Sequence, residues 1–68
     1  MTVVVNGVDR EVPDGATVSE LLTTLDLPPA LRGVAVARNG GVVLRAQWGV
    51  TELVDGDRVE VLHAVQGG

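Results

Sequence analysis

The run Pro13-Asp14-Gly15-Ala16-Thr17-Val18-Ser19-Glu20-Leu21-Leu22-Thr23-Thr24-Leu25 decides how this chain folds. Thr17 and Glu20 have the spacing of a capping box, in which each side chain satisfies a backbone amide that the first helical turn leaves without a partner. Val18, Leu21, Leu22 and Leu25 recur at i, i+3, i+4 and i+7, which makes one apolar stripe and leaves Ser19, Glu20, Thr23 and Thr24 on the other side. Pro13-Asp14-Gly15 separates this helix from what precedes it. Pro28-Pro29 ends it, since neither proline donates an amide and each biases its predecessor away from helical geometry. A helix with a single apolar stripe needs one apolar surface to lie on.

The flanking sequence supplies that surface as strands. Residues 2–6 and 8–12 are extended runs joined at Asn6-Gly7, the pair that best tolerates the two positive φ angles of a type I′ hairpin turn. In the second run Val8, Arg10 and Val12 alternate with Asp9 and Glu11, the pattern of a half-exposed strand. Beyond the helix, residues 33–38 read as a third strand with Val34 and Val36 on one face, and Asn39-Gly40-Gly41 turns the chain into a short run, Val42 to Leu44. Arg45 to Trp48 is long enough for a single turn, and Asp55-Gly56-Asp57 is a tight turn that launches a last strand over residues 58–65.

A hairpin, a crossover helix and further strands predict an α+β layer pair with one sheet face covered and the other open. The valine-rich first and last strands belong side by side and parallel at the centre. The expected fold is a β-grasp, the ubiquitin-like arrangement: a mixed sheet of four to five strands with one main helix packed on one face. On the last strand Val59, Val61, His63 and Val65 share one parity. If they face the helix, Leu62 stands on the open face beside Val4 of the neighbouring strand, and these two become candidate docking contacts for a partner.

Composition narrows the function. The 68 residues allow one domain, read as a β-grasp body over 1–65 and a flexible tail over 66–68. The net charge of −4 argues against nucleic acid, which demands a basic face. There is no cysteine, so neither disulfides nor thiolate metal sites can form. Lysine is absent too: the five cations are Arg10, Arg32, Arg38, Arg45 and Arg58. That removes the amine on which biotin, lipoate or a growing ubiquitin chain is carried. Met1 runs into Thr2-Val3-Val4-Val5 without a basic segment or a long apolar one, and no stretch nears the roughly 20 apolar residues of a membrane span. The expected location is the cytoplasm.

What remains as a chemical handle is the terminal pair Gly67-Gly68, with Gln66 before it. Two residues without side chains can enter a channel that a Cβ would block. The terminal carboxylate, with a pKa of about 3.5, is ionised at neutral pH and is a poor electrophile until activated, for example as an acyl adenylate. Chance alone ends a chain in two glycines about 0.5% of the time at ordinary glycine usage, so the pair carries weight only when joined to the fold. The other candidates are weaker. His63 is the single histidine and, without cysteine, cannot build a metal site or a catalytic dyad. Trp48 reads as a packing residue, Asp55-Gly56-Asp57 lacks the further oxygen ligands of a calcium loop, and Gly40-Gly41 reads as a turn. Ser19 lacks the context of an acyl-carrier serine.

The whole chain resembles the ThiS family of ubiquitin-like sulfur carriers. The resemblance lies in Asn6-Gly7, Gly15 to Leu22, Val34 to Asn39, Arg45-Ala46-Gln47-Trp48, Asp55 to Leu62 and Val65-Gln66-Gly67-Gly68. Members commonly have a proline where this chain has Leu44. The resemblance implies that Gly68 is adenylylated by an E1-like adenylyltransferase of the ThiF type, which uses ATP. Gly68 is then converted to a thiocarboxylate with sulfur from a persulfide donor. That sulfur goes to a thiazole synthase of the ThiG type for the thiazole ring of thiamine. It implies a carrier and not an enzyme, with no permanently bound cofactor or metal. The small subunit of molybdopterin synthase shares fold and tail, though it is usually longer and richer in aromatics, and carriers for cysteine synthesis or tRNA thiolation share the chemistry. A β-grasp binding module that carries nothing is the alternative of another class.

Overall fold

The computed structural model describes residues 1–27 and 32–64. Its elements are β1 (Thr2–Val5), β2 (Val8–Glu11), α1 (Val18–Thr24), β3 (Val34–Arg38), β4 (Gly41–Val43), a 3₁₀ turn (Arg45–Gln47) and β5 (Arg58–His63). The strands form one sheet in the order β2-β1-β5-β3-β4. The two central strands β1 and β5 run parallel, and every other pairing is antiparallel. This is the expected β-grasp, with five strands.

Local chemistry explains each junction. Asn6 and Gly7 take φ angles of 49° and 81°, so the β1–β2 hairpin has the two-residue turn its sequence demands. At the helix start the Glu20 amide donates to Thr17 Oγ1 at 3.2 Å, while the Thr17 amide donates to Glu20 Oε1 at 3.1 Å. At the other end the Asp26 amide bonds the Thr23 carbonyl and the Leu27 amide bonds the Leu22 carbonyl, at 3.1 and 2.9 Å. With Asp26 at φ 61°, these two bonds are a Schellman motif in which Asp stands in the usual glycine place. The helix is therefore stopped by its own C-terminal turn at Leu25–Leu27. Pro28 and Pro29, the stop that the sequence predicts, lie outside the described residues.

The helix stripe Val18, Leu21 and Leu22 meets Val3, Val5, Val36, Val59 and Val61 of the sheet, with Val12, Ala16, Trp48 and Leu53 closing the rim. Leu25 and Leu27 pack against this cluster from the helix end. Trp48 is the packing residue expected of it: its indole is buried, Nε1 donates to the Val43 carbonyl at 2.9 Å, and the Arg45 guanidinium lies 4.6 Å from the ring centre.

Two expectations need correction. The strand β2 is exposed along its whole length and not by halves. Val8 and Arg10 pair with Val5 and Val3 and so point to the helix side. Yet a seven-residue helix is only about 10 Å long and leaves that sheet edge uncovered. Only Val12, past the strand end, reaches the core. Strand bounds also shift, with β4 one residue earlier and β5 ending at His63. Leu44, the departure from the family pattern, has φ −64°, the angle a proline would impose, so the turn into Arg45–Gln47 survives the substitution.

Candidate functional site

The strand that leads toward the C-terminus is β5, and three different devices hold it. At its root sits Asp57, the one buried charged residue among those described, 4% exposed. Its carboxylate accepts from Arg38 Nε at 2.7 Å, Asn39 Nδ2 at 3.0 Å and the Val54 amide at 2.8 Å. Asn39 returns a bond through its oxygen, which accepts from the Arg58 amide at 2.9 Å. Burial alone would push the Asp57 carboxyl up. The Val54, Asn39 and Arg38 hydrogen bonds, with the Arg38 charge, outweigh it and hold the group below its ordinary value. Asp55-Gly56-Asp57 is the turn that the sequence predicts, but the sequence gives no direct notice that Asp57 points inward. The available signal is Arg38-Asn39, a cation and an amide placed together at a strand end.

In the middle, β5 outruns its neighbour. The chain leaves β1 at Val5 and turns away, so Val61 has no backbone partner on that side. The Asn6 side chain takes the vacant place: Nδ2 donates to the Val61 carbonyl at 3.0 Å and Oδ1 accepts from the Val61 amide at 2.9 Å. An asparagine suited to its turn thus also supplies a rung of the ladder.

At the far end the Ala64 amide donates to the Gly33 carbonyl at 2.8 Å. Gly33 has φ +81°, and a Cβ on it would lie 2.8 Å from the Ala64 carbonyl oxygen. The residues assigned to the tail, Gln66, Gly67 and Gly68, lie outside the described residues, as does Val65.

The face of the sheet away from the helix is open, as expected, and Leu62 stands on it 71% exposed. Its position beside Val4 is corrected by the register. Val4 pairs with Arg58, four residues earlier on β5, which is about 13 Å away at 3.3 Å per residue. The two share a face and do not touch, because β1 ends before it reaches Leu62. The cross-strand neighbour of Leu62 is Ala35, and Val42 stands opposite Ala37 on the next row. Ala35, Ala37, Val42, Glu60 and Leu62 line one shallow hollow of about 150 Å³. This apolar patch occupies the end of the face from which the chain proceeds to its C-terminus, while Asp9 and Glu11 lie on the far edge.

Among the described residues no group of three or more His, Asp or Glu side chains could hold a metal ion. His63, at the end of β5, is exposed. No helix among them is long and apolar enough to cross a membrane.

Comparison with known proteins agrees on one group. The sequence model of the ThiS family matches residues 3–68. The sulfur carrier protein ThiS of Escherichia coli (strain K12) is 35% identical over 68 residues, which covers all of both chains. A thiazole synthase of Magnetococcus marinus is 37% identical over the same 68 residues, and the chain spans 20% of the length of that protein. Among solved structures, the crystal structure of the thiamine biosynthesis protein ThiS from Geobacter metallireducens superposes with a TM-score of 0.80 at 37% identity, each chain covered in full.

Proposed function

This chain belongs to the ThiS family, and from that premise we propose that its C-terminal Gly68 is the group on which sulfur is loaded. The protein is a sulfur carrier of thiamine biosynthesis and not an enzyme. The observation that carries the reading is the match of the whole chain to carriers of the same length and fold.

The chemistry follows from a carboxylate that cannot react by itself. Attack of the Gly68 carboxylate on the α-phosphorus of ATP, held by an E1-like adenylyltransferase of the ThiF type, forms an acyl adenylate and releases pyrophosphate. A persulfide sulfur on a donor protein then attacks the acyl carbon and expels AMP. A thiol cleaves the resulting acyl disulfide, is itself oxidised to a disulfide with the donor, and leaves the thiocarboxylate. Gln66 and Gly67 present the end to the enzyme, and the carrier itself contributes no catalytic side chain and no bound cofactor. The thiocarboxylate sulfur is the nucleophile offered to a thiazole synthase of the ThiG type. The Magnetococcus thiazole synthase, which contains a segment like this chain, supports that partnership.

The open-face patch around Leu62 is where the partners dock in this reading, with Val4 farther along the same face as a second contact. Its support is an exposed apolar surface contiguous with the strand that ends in the tail.

Intact-mass analysis after incubation with ATP, the activating enzyme and a persulfide donor tests the loading step. Replacement of one terminal oxygen by sulfur is the expected result, and an unchanged mass in a competent mixture would remove the proposal. Deletion of Gly68 is expected to abolish adenylylation while leaving the melting temperature unchanged, since the terminal residues of a domain generally tolerate change.

A further inference from the structure

The last described rung of the sheet joins Ala64 to Gly33, two residues to which no role has been given. Gly33 sits in the left-handed region at φ +81°, and its carbonyl accepts the Ala64 amide at 2.8 Å. An L side chain is disfavoured there twice over: by the backbone angle and by the Ala64 carbonyl oxygen, which a Cβ would meet at 2.8 Å. The obstacle is backbone, so it can be relieved only by moving β5 or the segment before β3. Other positive-φ glycines differ: at Gly7, Gly40 and Gly56 an added Cβ would meet nothing within 4 Å, so at those turns only the angle asks for glycine. At Gly33 the close approach itself is the feature, and it falls at the residue from which the chain proceeds to its terminus.

We propose that Gly33 is a positioning residue for the carrier reaction: by clamping the Ala64 amide it fixes the place of Ala64, the anchor from which the C-terminal carboxylate is presented. The inference rests on the reading of Gly68 as the loaded group. Gly68 is the fourth residue after Ala64, at most about 14 Å away along an extended chain. A shift of Ala64 therefore shifts the region that the carboxylate can reach, while the pairing of Leu62 with Ala35 holds the docking patch two residues back.

This separation defines the test. Gly33→Ala is expected to lose hydrogen-exchange protection at the Ala64 amide. In steady-state adenylylation its kcat should drop at least about tenfold, as misplacement of a reacting group by an ångström costs up to about a hundredfold, with KM within about twofold of the parent. A variant that is merely destabilised behaves oppositely, because a smaller folded fraction raises the apparent KM and leaves kcat alone. Ala64→Pro removes the donor from the other side of the same bond, at a place beyond the last strand, and should show the same kcat loss with an unchanged melting temperature. If Gly33→Ala does not fold, Ala64→Pro alone decides the outcome. Unchanged kcat in both, or a change confined to KM, overturns the proposal while the parent chain is still adenylylated. Failure of the parent chain itself overturns the carrier reading and this inference with it.

Discussion

The two ends of β5 are held in opposite ways. Its root is tied by side chains: one buried carboxylate gathers a guanidinium, an amide and a backbone N–H, and Asn39 adds a second bond to Arg58. Its far end is held, among the described residues, by backbone alone, through the β3 ladder as far as the pair Val34 and His63 and then the bond from Ala64 to Gly33. The difference separates two tasks. In the proposed function the terminus is handed to other proteins, and the cooperative network that keeps the strand in place lies at the opposite end of β5. Buried polar groups of this kind stabilise only when all are satisfied, and no buried side-chain polar atom among the described residues lacks a partner.

Breaking the root should therefore have the largest effect on stability. Asp57→Ala leaves the Val54 amide and the Asn39 amide nitrogen without their acceptor, and a loss of about 3 kcal/mol is expected in urea unfolding. The same residue sets an acid limit. Because the folded-state pKa of Asp57 is held below its unfolded value, its contribution is complete above the unfolded pKa of about 3.9 and is lost as pH falls through the folded one. Stability of the parent chain should decline with acid below about pH 4, and Asp57→Ala should flatten that limb. An equally steep decline in the variant would assign acid sensitivity to other carboxylates.

The middle of the strand should answer less strongly. Asn6→Ala removes both bonds to Val61 and places a Cβ-bearing residue without a local polar group at positive φ. About 2 kcal/mol is the expected loss. Asn6→Asp keeps the turn and the acceptor but not the donor, so it should fall between the two. If Asn6→Ala costs no more than a generic turn substitution, the side-chain rung is not contributing.

The far end should answer least in stability and most in function. Leu62→Glu alters an exposed side chain, so unfolding should stay within about 0.5 kcal/mol of the parent. Placed in an apolar docking patch, the new charge should raise the KM for the activating enzyme about tenfold, the equivalent of about 1.4 kcal/mol. An unchanged KM would take Leu62 out of the docking face.

Much of the fold is legible in the residues alone. The capping box, the Val18-Leu21-Leu22 stripe and the Asn6-Gly7 turn are local or periodic signals that backbone geometry converts directly into elements, and the valine-rich first and last strands mark themselves for the sheet centre. The misreadings share a cause. The exposure of Val8 and the distance between Val4 and Leu62 depend on how far one element extends over or beside another, and periodicity carries no such length.

The sequence by itself determined the elements, their order and the chemical poverty of the side chains. Without cysteine or lysine, and with a single histidine, the side chains leave Gly67-Gly68 as the place at which we propose that sulfur is held. Only the tertiary structure decided that Asp57 is a buried keystone, that Asn6 completes the ladder at Val61, and that Gly33 is pressed against Ala64. Apart from the Val54 amide on Asp57, those roles arise between residues 18 to 55 positions apart for the hydrogen-bonded side chains and 31 apart for the glycine. Such contacts exist only once the sheet has closed, because a turn residue or a glycine reads the same in sequence whether it faces water or another strand.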